Sequence, residues 1–320
     1  MDKKWIFGID LGGTTVKLAI LNTEGDFVHK WEIPTDKREN GEFIVTDIKN
    51  AFFNKIGELN IEKDAFFGAG IGAPGPVIDN GVISKAVNLG WENYPLKDRL
   101  EKEIGLPVSV ENDANCAALG ELWKGAGKGF RNLVFVTLGT GVGGGVITNG
   151  EIVSGASGGG GEIGHMNVMI DDGYLCNCGK HGCLETICSA TGIVRVAKSI
   201  LDSTTVNSRL KEFYLSNQNI TSKDVFEHAS ESDELAIKIV NEVCRYLGYA
   251  LGSIQALLEP EAIVIGGGVS KAGETLLNPL KASYKKYAFL PEKSKTQIIL
   301  ATLGNDAGVI GAGWLVKKQI

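Results

Sequence analysis

The stretch Trp5-Ile6-Phe7-Gly8-Ile9-Asp10-Leu11-Gly12-Gly13-Thr14-Thr15 decides the fold once it is laid beside Leu133-Val134-Phe135-Val136-Thr137-Leu138-Gly139-Thr140-Gly141-Val142-Gly143-Gly144-Gly145. Each begins as a short apolar run of strand length and ends in a glycine turn. After the first turn, Val16 to Leu21 reads as a second strand, Asn22 to Asp26 as a turn and Phe27 to Ile33 as a third strand. After the second, Val146-Ile147 leads into Asn149-Gly150, a strong hairpin signal, and Glu151-Ile152-Val153 continues. Aligning Asp10-Leu11-Gly12 with Thr137-Leu138-Gly139 superimposes two strand–turn–strand–turn–strand units. The pattern predicts an internal duplication, two lobes of one topology, each with a phosphate-facing hairpin. Coincidence between two glycine-rich hairpins is the alternative.

Working outward, residues 40–59 carry Phe43, Ile44, Ile48, Phe52 and Ile56 at helical spacing. Phe66 to Ala73 reads as a strand ending at Pro74-Gly75-Pro76. Val108 to Val110 runs as a short strand into Glu111-Asn112-Asp113, with a helix from about Ala114. A long helical pattern from Asp233 to Leu258 is stopped by Pro260, and Ala262 to Ile265 is a strand ending in Gly266-Gly267-Gly268. Asn305-Asp306 has the composition of a cap for a last helix, Ala307 to Lys317. Residues 202–222 are polar and read as a surface connection.

The 320 residues are enough for two cored lobes, and 43% hydrophobic with 22% charged is a globular composition. Glycine, at 43 residues, is about twice its usual share. Its clusters read as backbone that turns tightly or approaches a ligand. A net charge of −6 argues against general nucleic-acid or membrane-surface binding. After Met1-Asp2-Lys3-Lys4 the apolar run covers only Trp5 to Ile9, too short for an export signal. The expected location is therefore the cytoplasm, where clustered cysteines bind metal more readily than they form disulfides.

There is no G-x-x-x-x-G-K-[ST]. The matches to G-x-G-x-x-G that follow strand patterns, at Gly70/Gly72/Gly75 and at Gly139/Gly141/Gly144, do not open a helix as a dinucleotide fingerprint must. Pro74 and Pro76 break the first, and the second runs into a strand. The remaining reading is two hairpin loops gripping one nucleoside triphosphate. Gly12, Gly13, Gly139 and Gly141 would offer bare backbone, and Thr14, Thr15 and Thr140 hydroxyls. Lys17 follows on the next strand. Asp10 would hold Mg²⁺ directly or through water, and Gly266, Gly267 and Gly268 would let a base lie against backbone. Any one loop alone is also an ordinary tight turn.

Cys176, Cys178 and Cys183 fall within eight residues, and His165 stands eleven positions upstream of Cys176. Thiolate and imidazole are the ligands that Zn²⁺ prefers, and four of them close a structural site. His181 and Cys188 are rival ligands, His181 being disfavoured by its place inside the tight Cys178–Cys183 loop. Cys116 and Cys244 sit in apolar helical patterns and read as core. Glu162 and Glu185 flank the cluster, as hydroxyl-binding carboxylates for a polyol or as solvated surface acids. At the strand-to-helix junction, Asn112 and Asp113 suit a helix cap. Asp113 equally suits the acceptor of a substrate hydroxyl proton in phosphoryl transfer, being ionised near neutrality. The two roles are compatible if Asn112 caps.

Taken together the chain resembles the ROK family (repressor, open reading frame, kinase) of actin-like sugar kinases. The resemblance is carried by Asp10-Leu11-Gly12-Gly13-Thr14, Ala73-Pro74-Gly75-Pro76, Glu111-Asn112-Asp113-Ala114-Asn115 and Leu138-Gly139-Thr140-Gly141-Val142-Gly143-Gly144-Gly145. Glu162-Ile163-Gly164-His165, Cys176-x-Cys178-Gly179-x-x-Gly182-Cys183-x-Glu185 and Ile265-Gly266-Gly267-Gly268-Val269 complete it. Within the family it looks most like the glucokinases of Gram-positive bacteria, including Asn88-Leu89-Gly90-Trp91.

The resemblance implies an α/β, two-lobed actin-like fold of duplicated ribonuclease H-like type, with the active site in the interlobe cleft. The lobes would be residues 1–114, with 305–320 packing back on them, and 115–304. It implies ATP-dependent phosphorylation of glucose at O6, with Asp113 as base and Gly75, Asn88, Asn112, Glu162, His165 and Glu185 around the sugar. One Zn²⁺ would sit on His165, Cys176, Cys178 and Cys183, Mg²⁺ would accompany ATP, and the assembly would be a homodimer or larger. Kinases for N-acetylmannosamine, N-acetylglucosamine or fructose share this set, and polyphosphate is a rival donor. A non-catalytic sugar sensor would have little use for Asp113 and both phosphate loops. The family's repressors carry a helix-turn-helix ahead of the first strand, for which a strand starting at Trp5 leaves no room. The unbroken run Gly158 to Gly161 departs from the family's usual bulkier residue and puts the stiffness of that loop in question.

Overall fold

The computed structural model of the chain describes residues 3–320. Met1 and Asp2, where the reading of the N-terminus began, lie outside them. Contacts group the chain into two compact units. One takes the residues up to Gly129 with Gly145–Gly161 and Leu303–Ile320, and the other takes Phe130–Gly144 and Glu162–Thr302. The 114/115 boundary of the sequence reading falls inside a helix, Asp113–Lys124.

In chain order the strands are β1 (Trp5–Leu11), β2 (Thr15–Asn22), β3 (Phe27–Pro34), β4 (Phe66–Ala73), β5 (Val77–Ile78), β6 (Val82–Ala86), β7 (Trp91–Tyr94) and β8 (Val108–Asn112). Then follow β9 (Leu133–Leu138), β10 (Val142–Thr148), β11 (Glu151–Ile152), β12 (Ala262–Gly266) and β13 (Gln297–Leu300). One five-stranded sheet has the order β3-β2-β1-β4-β8, the other β11-β10-β9-β12-β13. The two orders are the same pattern. A central strand has its hairpin partners on one side and two parallel strands on the other, β4 and β8 beside β1, β12 and β13 beside β9. The duplicated architecture expected from the two glycine turns is thus present as strand order. Hairpin chemistry is met as well, since Asn149 (φ 55°) and Gly150 (φ 83°) both adopt the left-handed region that a two-residue β-turn requires.

The first unit is cored by Phe7, Phe52 and Phe66, all fully buried, with ring centroids 4.5 Å (Phe7–Phe52) and 5.2 Å (Phe52–Phe66) apart. Each such ring contributes about 2–3 kcal/mol of hydrophobic stabilisation. The Ala307–Lys317 helix packs on this unit at a separation that admits no side chain. A β-carbon on Gly70 of β4 would lie 1.8 Å from the Ala312 carbonyl oxygen, and one on Gly311 would lie 1.7 Å from that of Cys116. Part of the glycine excess is therefore interior packing, and not only turns and ligand contacts.

Four local expectations change. Gly143 to Gly145 belong to β10 and not to the turn; a β-carbon on Gly145 would meet the Ala118 side chain at 2.7 Å. The polar 202–222 stretch contains a helix, Arg209–Asn217, capped by Ser208, whose hydroxyl accepts the Lys211 N–H. Asp306 precedes the last helix without capping it by its side chain and pairs with Lys30 Nζ at 2.8 Å instead. In the run Gly158 to Gly161 two positions are packed, a β-carbon on Gly158 falling 2.3 Å from the Val77 carbonyl oxygen and one on Gly160 2.1 Å from that of Val153, while Gly159 faces open space.

Candidate functional site

In the first unit, β1 delivers Asp10 opposite Lys17 of β2. Lys17 Nζ lies 3.3 Å from the Asp10 carboxylate and donates to the Asn305 carbonyl at 3.0 Å. On another side, a β-carbon on Gly308 would come within 2.9 Å of both Asp10 oxygens. Burial pushes the Asp10 carboxyl above its ordinary value, and Lys17 opposes that shift. The following turn is tied down by its own backbone. Gly12 N–H donates to the Thr15 carbonyl (3.0 Å), while Thr35 bonds the turn twice, hydroxyl to the Gly12 carbonyl (2.8 Å) and N–H to the Thr14 carbonyl (2.9 Å). Gly13 faces open space, its nearest neighbour in the β-carbon direction being Asn88 Cβ at 3.9 Å.

At the end of β8, Asn112 caps the Asp113–Lys124 helix, its Oδ1 accepting from Ala114 N–H (2.9 Å) and Asn115 N–H (3.2 Å). Its Nδ2 donates to the Gly75 carbonyl at 3.2 Å. Asp113, the first residue of the helix and half-buried, accepts the Ala114 N–H at 2.8 Å. Glu111 braces the junction from behind, accepting from Asn112 N–H (2.8 Å) and Asn115 Nδ2 (3.0 Å). The structure thus brings Gly75, Asn112 and Asp113 together, and Asn88 beside Gly13. Thr35 escaped the sequence reading because nothing in its local pattern marks it, and Glu111 was read only as part of the junction, without its bracing role.

In the second unit, His165, Cys176, Cys178 and Cys183 place one ligand atom each within 4.8 Å of one another. His165 Nδ1 is 3.7 Å from Cys176 Sγ, and Cys178 Sγ is 3.6 Å from Cys183 Sγ. Four ligands about 2.3 Å from one Zn²⁺ in a tetrahedron stand about 3.8 Å apart, so the spacing and the donor chemistry fit that ion. Burial pushes the Cys176 thiol up to about 12 when no cation is counted; a divalent ion supplies the charge that lets such a thiol ionise. The other imidazole nitrogen, Nε2, lies 4.0 Å from Glu162. His181 is turned to the Gly173 carbonyl (2.8 Å) and Cys188 is buried against the Val243 carbonyl (3.6 Å), so neither rival joins the cluster.

Glu185 was expected to face a ligand hydroxyl. Here its Oε2 accepts the Val142 N–H at 2.9 Å, and its Oε1 is 3.7 Å from Cys176 Sγ. The glycine turn is held further along by Ala190 N–H on the Gly139 carbonyl (2.8 Å) and the Thr191 hydroxyl on the Thr140 carbonyl (3.1 Å). Of the expected nucleotide glycines, Gly266 and Gly267 are explained by packing, their β-carbons falling 2.7 Å from the Phe135 ring and 2.4 Å from the Leu138 carbonyl oxygen. Gly268 and Gly139 have open space. Gly139 nonetheless has both backbone groups engaged, its N–H on the Gly141 carbonyl (2.9 Å) and its carbonyl on the Ala190 N–H (2.8 Å).

Among the described residues no helix is long and apolar enough to cross a membrane. The model of the ROK family matches residues 6–319. The glucokinase of Halalkalibacterium halodurans is 50% identical over the whole chain, which covers 97% of that protein. That of Thermotoga maritima is 36% identical, again over the whole chain and 99% of the relative. In structure the chain is similar to a ROK family glucokinase from Streptomyces griseus solved with glucose and AMPPNP. The two are 34% identical with a TM-score of 0.79, over 98% of this chain and 99% of that one. With its duplicated five-stranded sheets, its Asn112–Asp113 junction and its His/Cys cluster, this chain belongs to the ROK family.

Proposed function

We propose that the chain phosphorylates glucose at O6 with ATP. The observation that carries the reading is the β8–helix junction, where Asn112 uses both ends of its amide on backbone and so fixes Asp113 beside Gly75. Asp113 takes the O6 proton as O6 attacks the γ-phosphorus, and the bond from that phosphorus to the β–γ bridging oxygen breaks, leaving ADP. Gly75, Asn88, Asn112, Glu162, His165 and Glu185 are the proposed groups around the sugar. Asp10, Gly12, Gly13, Thr14, Thr15 and Lys17, with Gly139, Thr140, Gly141 and Gly266 to Gly268, are those around the nucleotide. Asp10 would hold Mg²⁺, directly or through water, and the ion would supply positive charge to the triphosphate. Zn²⁺ on His165, Cys176, Cys178 and Cys183 has no open position in this assignment, so its task is to order the loop bearing Glu162, His165 and Glu185. The 50% identity to a glucokinase over the full chain supports glucose as the acceptor. A cytoplasmic homodimer or larger assembly completes the proposal.

The test is Asp113→Asn. It should lower kcat by at least about 10²–10⁴-fold while glucose still binds, and wild-type turnover would remove Asp113 from the role of base. A coupled assay over hexoses and N-acetylhexosamines, with ATP and polyphosphate in turn, fixes the substrate. Glucose with ATP is the expected best pair; a clear preference for an N-acetylhexosamine, fructose or polyphosphate would replace that part of the reading.

A further inference from the structure

The segment that follows Cys183 does more than close the metal cluster. Within nine residues it makes three hydrogen bonds to the Gly139–Val142 turn. Glu185 accepts the Val142 N–H (2.9 Å), Ala190 N–H donates to the Gly139 carbonyl (2.8 Å), and the Thr191 hydroxyl donates to the Thr140 carbonyl (3.1 Å). Ser189 stiffens the segment, donating its hydroxyl to the Glu185 carbonyl (2.7 Å) and accepting the Gly192 N–H (3.0 Å) as the cap of the Ala190–Ser203 helix. A β-carbon on Gly141 would lie 2.3 Å from Glu185 Oε2. A side chain at 141 would therefore have to displace the Glu185 carboxylate from its bond to the Val142 N–H, whatever a ligand then does on the other face of the turn.

We propose that Glu185 is a positioning residue for the nucleotide turn, joining the His/Cys cluster and the Gly139–Val142 turn into one rigid piece, so that the cluster governs nucleotide affinity as well as sugar affinity. One carboxylate oxygen holds the turn by the Val142 N–H, and Glu185 stands two positions after Cys183 of the cluster, so the chain itself ties the turn to the cluster. A charged acceptor on a backbone N–H makes one of the stronger protein hydrogen bonds, and it fixes the turn before any ligand arrives, which lowers the ordering cost of binding. The proposal rests on the reading of this loop as nucleotide-binding.

The experiment measures the dissociation constant of Mg-AMPPNP by calorimetry on the full, zinc-loaded chain without sugar, so that sugar contacts of Glu185 cannot enter. Glu185→Ala should weaken binding about tenfold, the loss of one charge-assisted bond, whereas Glu185→Gln, which can still accept from Val142, should stay within about twofold. Gly141→Ala should also weaken binding, but should add nothing in the Glu185→Ala background, where the β-carbon enters vacated space. If Glu185→Ala does not fold, the pair Gly141→Ala and Gly141→Ala/Glu185→Asp decides. The shorter acid should restore affinity that the single glycine variant loses. Wild-type affinity in Glu185→Ala, equal additional losses from Gly141→Ala in both backgrounds, or no restoration by Glu185→Asp each overturn the coupling while leaving the kinase reading intact. A wild-type chain that fails to bind Mg-AMPPNP overturns both.

Discussion

The two glycine turns are equivalent in sequence pattern and in strand order, yet they are supported differently. The turn after β1 is held within its own hairpin and the neighbouring strand end, by Gly12 to Thr15 and by both polar groups of Thr35. It carries a half-buried carboxylate, Asp10, with its own counter-charge, Lys17. The turn after β9 has Thr137 in the matching place and also closes on itself, Gly139 N–H to the Gly141 carbonyl at 2.9 Å, but its further support comes from Glu185, Ala190 and Thr191, some fifty residues further along and adjoining the His/Cys cluster. Two copies of one backbone device have diverged in what fixes them. Beyond one internal backbone bond each, the first is held by its own hairpin and the next strand end, and the second by the arm that carries the His/Cys cluster.

Removing the metal separates them most sharply. Cys178→Ser, or exhaustive chelation, should release zinc, raise KM for sugar and weaken nucleotide binding by roughly tenfold or more. Amide hydrogen exchange should then quicken across residues 139–145 and 185–191 and stay unchanged across 10–15, because opening follows loss of local support. Equal quickening in both turns would show that the first also depends on the cluster. A metal-free Cys178→Ser chain with normal sugar affinity would show that the cluster orders nothing.

Asp10 gives a second contrast, since nothing at Thr137 titrates. Burial holds its carboxyl above the ordinary value of 3.8 despite Lys17. A raised carboxyl stabilises the fold in its protonated form; that contribution is complete below the unfolded value and is lost as pH rises through the folded one. Asp10→Asn should therefore melt at or above wild type at pH 7, with the difference shrinking toward pH 4, even as the variant loses Mg-nucleotide activity. A variant markedly less stable than wild type at pH 7 would mean that the Lys17 pair outweighs burial.

These contrasts mark how far the sequence could be read. Strand–turn–strand periodicity and the Asn149-Gly150 hairpin are local signals, so the duplicated sheets were legible. So was the grouping of His165, Cys176, Cys178 and Cys183, because three ligands lie within eight residues and the loop between them closes on itself. The support of the second turn was not legible, because glycine at 141 looks the same whether it makes room for a phosphate or for the Glu185 carboxylate 44 positions away. Gly70 and Gly311 hid for the same reason, their close neighbours being backbone atoms of helices remote in sequence. Asp306 shows the converse error. Composition suited a cap, but a salt bridge to Lys30 claims the side chain.

The finest break in the comparison is a matched pair of hydroxyl deletions. Thr35→Val removes the donor to the Gly12 carbonyl, and Thr191→Val removes the donor to the Thr140 carbonyl. Each leaves one turn carbonyl without its side-chain partner, and the two bonds differ by only 0.3 Å in length, 2.8 against 3.1 Å. What differs is access to water, because Thr35 is half-buried and Thr191 exposed. A carbonyl that water can reach recovers most of what it loses, whereas one kept from water carries the desolvation penalty. Thr35→Val should therefore cost about 1–2 kcal/mol in urea unfolding and Thr191→Val under about 0.5 kcal/mol. For nucleotide affinity the order should stay the same and the effects remain small, since each turn keeps its other supports. If Thr191→Val proved the more damaging, the second turn would depend on a single hydroxyl, and the role argued for Glu185 would pass in large part to Thr191.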